Sequence, residues 1–210
     1  MQVDLERLVR DVVQGYFREE RQPGAIPVGV SNRHVHLSHS DFATLFGAGE
    51  QGTQLKPLKQ PGQFALKESV TLIGPKGVIE QVRILGPVRN QTQVEILAGD
   101  SYKLGIPIAI RDSGDLQGTP GLVLAGPCGV VELKQGVIVA RRHIHASPQD
   151  ASALGIKDGQ LVRVAVQGQR SLVFGDVMVR VHPEYCLELH VDVEEANAAQ
   201  LKNEDMVTLA

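Results

Sequence analysis

The chain contains no tryptophan, and aromatic residues make up only 4% of its 210 residues. A core must therefore be assembled from Val, Ile and Leu, which favours small barrels over aromatic-rich sandwiches. Only two cysteines occur: Cys128 in a GPCG turn and Cys186 in a predicted strand. They are far apart and form no CxxC, so each is expected to be a buried structural thiol in a reducing, cytoplasmic setting. No apolar run is long enough to span a bilayer, and acidic residues interrupt the apolar pattern of the N-terminus, unlike a secretory signal. Neither sign of charge dominates. The net charge is −3, with Lys and Arg scattered, which gives no footing for nucleic acid. A Walker loop, a GxGxxG turn and an HExxH helix are also missing, which removes the readings those motifs carry.

What is present is 42% hydrophobic, enough for one large domain or two small ones. Val3, Leu5, Leu8, Val9, Val12, Val13, Tyr16 and Phe17 recur at helical spacing until RQPG at 21–24. Such a helix either docks on the body or serves as a detachable targeting element. From Ile26 onward the chain reads as short Val/Ile-rich strands broken by Gly and Pro: IPVGVS, SVTLIG, VIEQVRIL, QVEILA, GVIVAR, QLVRVAV, DVMVRV and CLELHVD. This predicts a mostly β (α+β) protein of small barrels, with helices best supported after His36 and after His145.

An internal repeat organises these strands. Residues 28–45 read VGVSNRHVHLSHSDFATL and residues 137–154 read VIVARRHIHASPQDASAL. At an offset of 109, Arg33, His34, His36, Ser38, Asp41 and Leu45 match Arg142, His143, His145, Ser147, Asp150 and Leu154. Asp100 and Asp192 offer a weaker correspondence further on. In each copy a strand delivers R-H-x-H, and Ser then caps a helix with Asp at N3. Pro148 falls at N1 of the second helix, where its missing N–H is harmless. Two copies of one unit predict two similar lobes related by a pseudo-two-fold.

Residues i and i+2 of a strand share a face, so His34 projects with His36 and His143 with His145. Two imidazoles on one rigid element form a metal chelate. Four together could close one structural site. Open catalytic sites would need further ligands, for which Glu95 in QVEILAGD and His190 in ELHVDV are candidates. Imidazole and carboxylate accept zinc, manganese and cobalt alike. Arg83 and Arg89 in QVRILGPVRN are either a phosphate clamp beside such a metal or solvated surface residues, and Lys56 and Lys67 carry the same ambiguity. RDSGDLQGTPG at 111–121 reads as a turn-rich connector between the lobes.

The paired R-H-V-H and R-H-I-H motifs, with LKPLKQPGQFA, GPVRNQTQVE and IRDSGDLQGTPG between them, resemble the PduL-type phosphotransacylases, or phosphate propanoyltransferases, of bacterial microcompartments. The resemblance runs from about Ile26 to the C-terminus. It implies two β-barrel lobes with the active site between them: residues 32–141 form the first, and residues 21–31 with 142–210 form a discontinuous second. It implies two zinc ions, one on His34, His36 and Glu95 with the CoA sulfur as fourth ligand, the other on His143, His145 and His190. Arg89 would bind phosphoryl oxygens, and Ser31, Lys56, Arg83, Leu85 and Asn197 would line a coenzyme A pocket. Residues 1–20 would be a peptide that directs the enzyme to shell or cargo proteins, placing it in the microcompartment lumen during propanediol degradation. The implied reaction exchanges propanoyl-CoA or acetyl-CoA plus phosphate with acyl phosphate plus CoA, without an acylated side chain. The residues alone also admit a metal-dependent hydrolase of phosphoesters or thioesters, or a metal-binding module without catalysis, and leave homo-oligomerisation open.

Overall fold

The computed structural model describes residues 24–50 and 52–210; the helix expected over residues 1–20 lies outside them. The described residues are mostly β, with fifteen strands and four short helices. In chain order these are β1 (Ala25–Ser31), β2 (His34–His36), α1 (His39–Phe46), β3 (Gln54–Pro57), β4 (Phe64–Ile73), β5 (Val78–Gly86), β6 (Gln93–Glu95) and α2 (Ala98–Leu104). Then follow β7 (Ile110–Arg111), β8 (Leu122–Ala125), β9 (Val130–Leu133), β10 (Val137–Ala140), β11 (His143–Ala146), α3 (Pro148–Leu154), β12 (Leu161–Val166), β13 (Leu172–Val181), β14 (Glu188–Asp192), α4 (Val193–Ala199) and β15 (Met206–Leu209).

Two sheets divide these strands. One is a closed barrel in the order β1-β14-β11-β13-β12-β15. The other is a curled sheet in the order β7-β10-β6-β2-β5-β4-β8-β9, with β3 also paired to β4. The barrel closes because β1 pairs on both sides, parallel to β14 and antiparallel to β15. The curled sheet has no strand in that role and ends on β7 and β9.

Each sheet has its own core, built from the Val, Ile and Leu that the missing aromatics left to do the packing. Ile26, Val28, Ile144, Val164, Val177, Val179 and Leu189 fill the barrel. Val35, Leu37, Phe42, Leu45, Leu72, Ile84, Val94 and Leu124 fill the curled sheet. Burying each such side chain contributes about 1.5–3 kcal/mol. No helix among the described residues is long and apolar enough to cross a membrane.

Both predicted caps form, with a difference between the copies. Ser147 and Asp150 make a reciprocal capping box at α3, and Pro148 stands at N1. Ser38 accepts from the Asp41 N–H at α1, but its own N–H donates to Thr92 Oγ1, whose hydroxyl in turn donates to Asp41. Three readings need correction. Residues 111–121 do not connect the lobes; they begin in β7 and lead to β8, inside the curled sheet. Cys128 is exposed because its turn between β8 and β9 faces solvent, and Cys186 is only partly buried and precedes β14.

Candidate metal centre

The strand period decides what this centre is made of. In β2, Val35 enters the core while His34 and His36 take the opposite face; in β11, Ile144 does so between His143 and His145. The neighbouring strand then adds one residue in register to each pair. β6 runs antiparallel to β2 and sets Glu95 opposite His34 and Gln93 opposite His36. β14 runs antiparallel to β11 and sets His190 opposite His143 and Glu188 opposite His145. Glu95 and His190 are therefore equivalent positions of the two sheets.

Two groups result, His34/His36/Glu95 and His143/His145/His190, and within each the donor atoms lie within 4.8 Å of one another. His34 Nδ1 donates to the Asn32 carbonyl and His143 Nδ1 to the Arg141 carbonyl, each at 2.8 Å. Because a carbonyl only accepts, each Nδ1 carries a proton, and in the neutral ring this leaves the Nε2 lone pair free to ligate. His143 Nε2 lies 3.0 Å from His145 Nε2 and His34 Nε2 lies 3.4 Å from Glu95 Oε2. Two ligands at ordinary tetrahedral zinc distances stand about 3.3 Å apart, so the spacing suits a shared cation. His36 Nδ1 and His145 Nδ1, again one repeat position, are buried without a hydrogen-bond partner. The His145 ring also packs edge-on against Tyr185, with centroids 4.3 Å apart.

The electrostatics favour the donor forms of these groups. Burial, then the neighbouring His34 and Arg89, hold His36 down at about 3. Burial and His190 lower His143 to about 4, and burial with His143 and His190 lowers His145 to about 2. These three imidazoles are neutral at pH 7. Burial alone would raise Glu95, but His34, His36 and His143 together hold it well below the usual carboxylate range. His34 is the exception: burial lowers it, yet the charge and hydrogen bond of Glu95 outweigh this and raise it above its ordinary value. The charge of His143, in the barrel, thus reaches Glu95, in the curled sheet.

The sequence profile of the family described as phosphate propanoyltransferase matches residues 27–202. The chain is 53% identical over 201 residues to the phosphate propanoyltransferase of Thermotoga maritima, covering 95% of each protein. The chain belongs to the phosphate propanoyltransferase family. It is also 48% identical to the Rhodobacter capsulatus protein of that name, over 97% of this chain and 95% of the relative. A third, from Salmonella typhimurium, is 48% identical over 94% of each. Membership makes the chain an enzyme, an acyltransferase.

Of the other residues singled out in the sequence, Arg89 reaches the face that carries the first donor group. It donates to Ser113 Oγ at 3.2 Å and sits 2.9 Å from His36 Nε2. Burial and the like charge of Arg180 lower its pKa, and Glu95 opposes them. Arg83 is beside His34 in register, but its guanidinium is spent on the Leu66 and Lys67 carbonyls. Leu85 follows it on β5, half-buried. Ser31 ends β1 and donates to the Val191 carbonyl. Lys56 is exposed on β3, Lys67 is exposed on β4, and Asn197 is exposed on α4. A cleft lined by Pro61, Gly62, Gln63, Gly86 and Pro87 leads to His36 and Arg89.

Several neighbours were missed. Gln93 donates to Glu95 at 2.6 Å and to Ser113 at 2.8 Å, and Ser113 comes from the segment read as a connector. Glu188 is 2.5 Å from His190 Nε2. Arg180 is opposite His145 in β13 and bears on His143, His145 and Arg89. Gln93 and Glu188 had a usable signal: each stands two residues before a candidate ligand, in QVE and ELH, and so shares its face.

Proposed function

We propose that this enzyme exchanges a short acyl group, propanoyl or acetyl, between coenzyme A and inorganic phosphate, on the face where its lobes meet. The observation that carries this reading is the pair of repeat-related donor groups, the first beside Arg89 and within electrostatic reach of the second, in a chain of this family. His34, His36 and Glu95 would hold one zinc ion and His143, His145 and His190 another. The donor set fits, since three of the imidazoles are neutral and Glu95 is ionised. Bound there, the cations would supply Lewis acidity and keep a coenzyme A thiol deprotonated near neutral pH.

A phosphate oxygen attacks the thioester carbonyl, a C–O bond forms, the C–S bond breaks, and the thiolate leaves. Arg89 is the phosphate ligand in this account. Its guanidinium borders His36 Nε2, the nitrogen that would face a cation, and once released from it can take phosphate oxygens in its planar fork. Arg180 adds positive charge from the other lobe, where the phosphate and the tetrahedral oxyanion concentrate negative charge. Ser31, Lys56, Arg83, Leu85 and Asn197 are assigned to coenzyme A, with Lys56 and Asn197 on the solvent-exposed part of its path. Transfer is direct, within a ternary complex. Residues 32–141 and residues 21–31 with 142–210 act as the two lobes. Residues 1–20 are proposed to address the enzyme to shell or cargo proteins of a microcompartment.

The test is formation of acyl-CoA from propanoyl or acetyl phosphate and CoA, before and after chelation and after zinc is restored. Transfer that is lost and regained supports the reading. Release of free acid alone would point instead to a hydrolase.

A further inference from the structure

The carboxylate of Glu188 is held on every side. It meets His190 Nε2 at 2.5 Å, accepts from Gln60 Nε2 at 3.1 Å, and lies 3.4 Å from Lys59 Nζ. It is 4% exposed. Beneath it is Gly29, opposite His190 on β1, where a Cβ would fall 2.6 Å from Glu188 Cδ. Gln60 and Lys59 belong to the other lobe, in the loop between β3 and β4. The Gln60 amide also exchanges two hydrogen bonds with the Cys186 backbone, at 3.1 and 3.3 Å, and Lys59 reaches Glu204 at 2.8 Å. In the curled sheet the matching place is taken by Gln93, which steadies Glu95 from within its own lobe.

We propose that Glu188 is a positioning residue that orients His190 for cation binding, and that the seat of Glu188 is completed across the lobe interface by Gln60 and Lys59. This rests on the metal reading above. A carboxylate bound to one ring nitrogen of a ligating imidazole fixes the ring's tautomer and orientation and raises its basicity, and with Nε2 given to Glu188 the nitrogen that His190 would offer a cation is Nδ1. The consequence is that the support of His190 depends on the docking of the first lobe, whereas Gln93, the matching support of Glu95, belongs to that ligand's own lobe.

The test uses full-length His36→Ala protein, in which only the second donor group is intact, and titrates zinc against a competing chelator. Adding Glu188→Gln should weaken zinc about 10–100-fold and alter the visible spectrum of the cobalt(II) form, with no comparable loss in a His143→Ala background that leaves only the first group. Gln60→Ala, changed in the opposite lobe, should weaken the same site in the same direction, and decides the matter should Glu188→Gln fail to fold. Unchanged zinc affinity in folded Glu188→Gln, or in Gln60→Ala, overturns the proposal. A His36→Ala parent that binds no zinc while wild type binds one ion or none sinks the two-site reading, and this inference with it.

Discussion

Replacing Gln93 with leucine would separate support of the first donor group from general stability. The side chain is 1% exposed and makes three hydrogen bonds: to Glu95 at 2.6 Å, to Ser113 at 2.8 Å, and from the Gly114 N–H at 2.7 Å. Leucine keeps much of the volume and none of the bonds. Loss of a group that orients a ligand weakens metal about 10–100-fold, which is about 1.4–2.8 kcal/mol. Gly114 is exposed, so its N–H can turn to water, and losing that bond costs only its net contribution of about 0.5–1.5 kcal/mol of folding stability. For a chain of this length that corresponds to a fall in melting temperature of about 1–6 °C. Chelator competition in the His143→Ala background would read the affinity, and thermal unfolding of the metal-free protein the stability. A lowered melting temperature with unchanged affinity would refute the reasoning, because Gln93 would then only fill space.

Arg89→Lys should retain charge but lose the fork, lowering kcat/KM for phosphate about 10–100-fold, the equivalent of roughly 1.5–3 kcal/mol for a charged hydrogen bond; steady-state kinetics with phosphate varied would show it. Ser147→Ala, which removes the cap of α3, should cost about 1 kcal/mol in denaturant unfolding with its midpoint shifted and its slope kept. The metal-free protein should lose stability as pH falls from about 6.5 to 4. His36 and His143, held at about 3 and about 4, refuse protons that the unfolded chain accepts below its ordinary 6.5, and the depressed Glu95 adds the same sign lower down. His34, raised, opposes them, its contribution being present in acid and lost as pH rises. A melting temperature flat or higher at pH 5 than at pH 7 would contradict the balance.

The offset of 109 made the strand histidines, their preceding arginines and both helix caps legible, because each of those features is local. Glu95 and His190 stood out as candidates by type, but their equivalence was hidden. The first half carries a longer excursion, including β3, between its HxH strand and β5, so later matches fall 95 residues apart. For the same reason Asp100 does not correspond to Asp192. It matches Glu195: each is the N3 acid of its helix, and they pair with Arg33 at 2.7 Å and Arg142 at 3.1 Å. Closure of one sheet and not the other, the approach of Arg180, and the entry of Ser113 depend on pairings between distant strands. No local period in the sequence records them.

The central claim is that both donor groups bind a cation and that transfer needs both. Metal counted per chain at equilibrium, alongside transfer rate, for wild type, His36→Ala and His143→Ala tests it most directly. Two ions in wild type, one in each variant and transfer lost in both is the predicted result. Full transfer by metal-free protein, or by a variant holding a single ion, would contradict it.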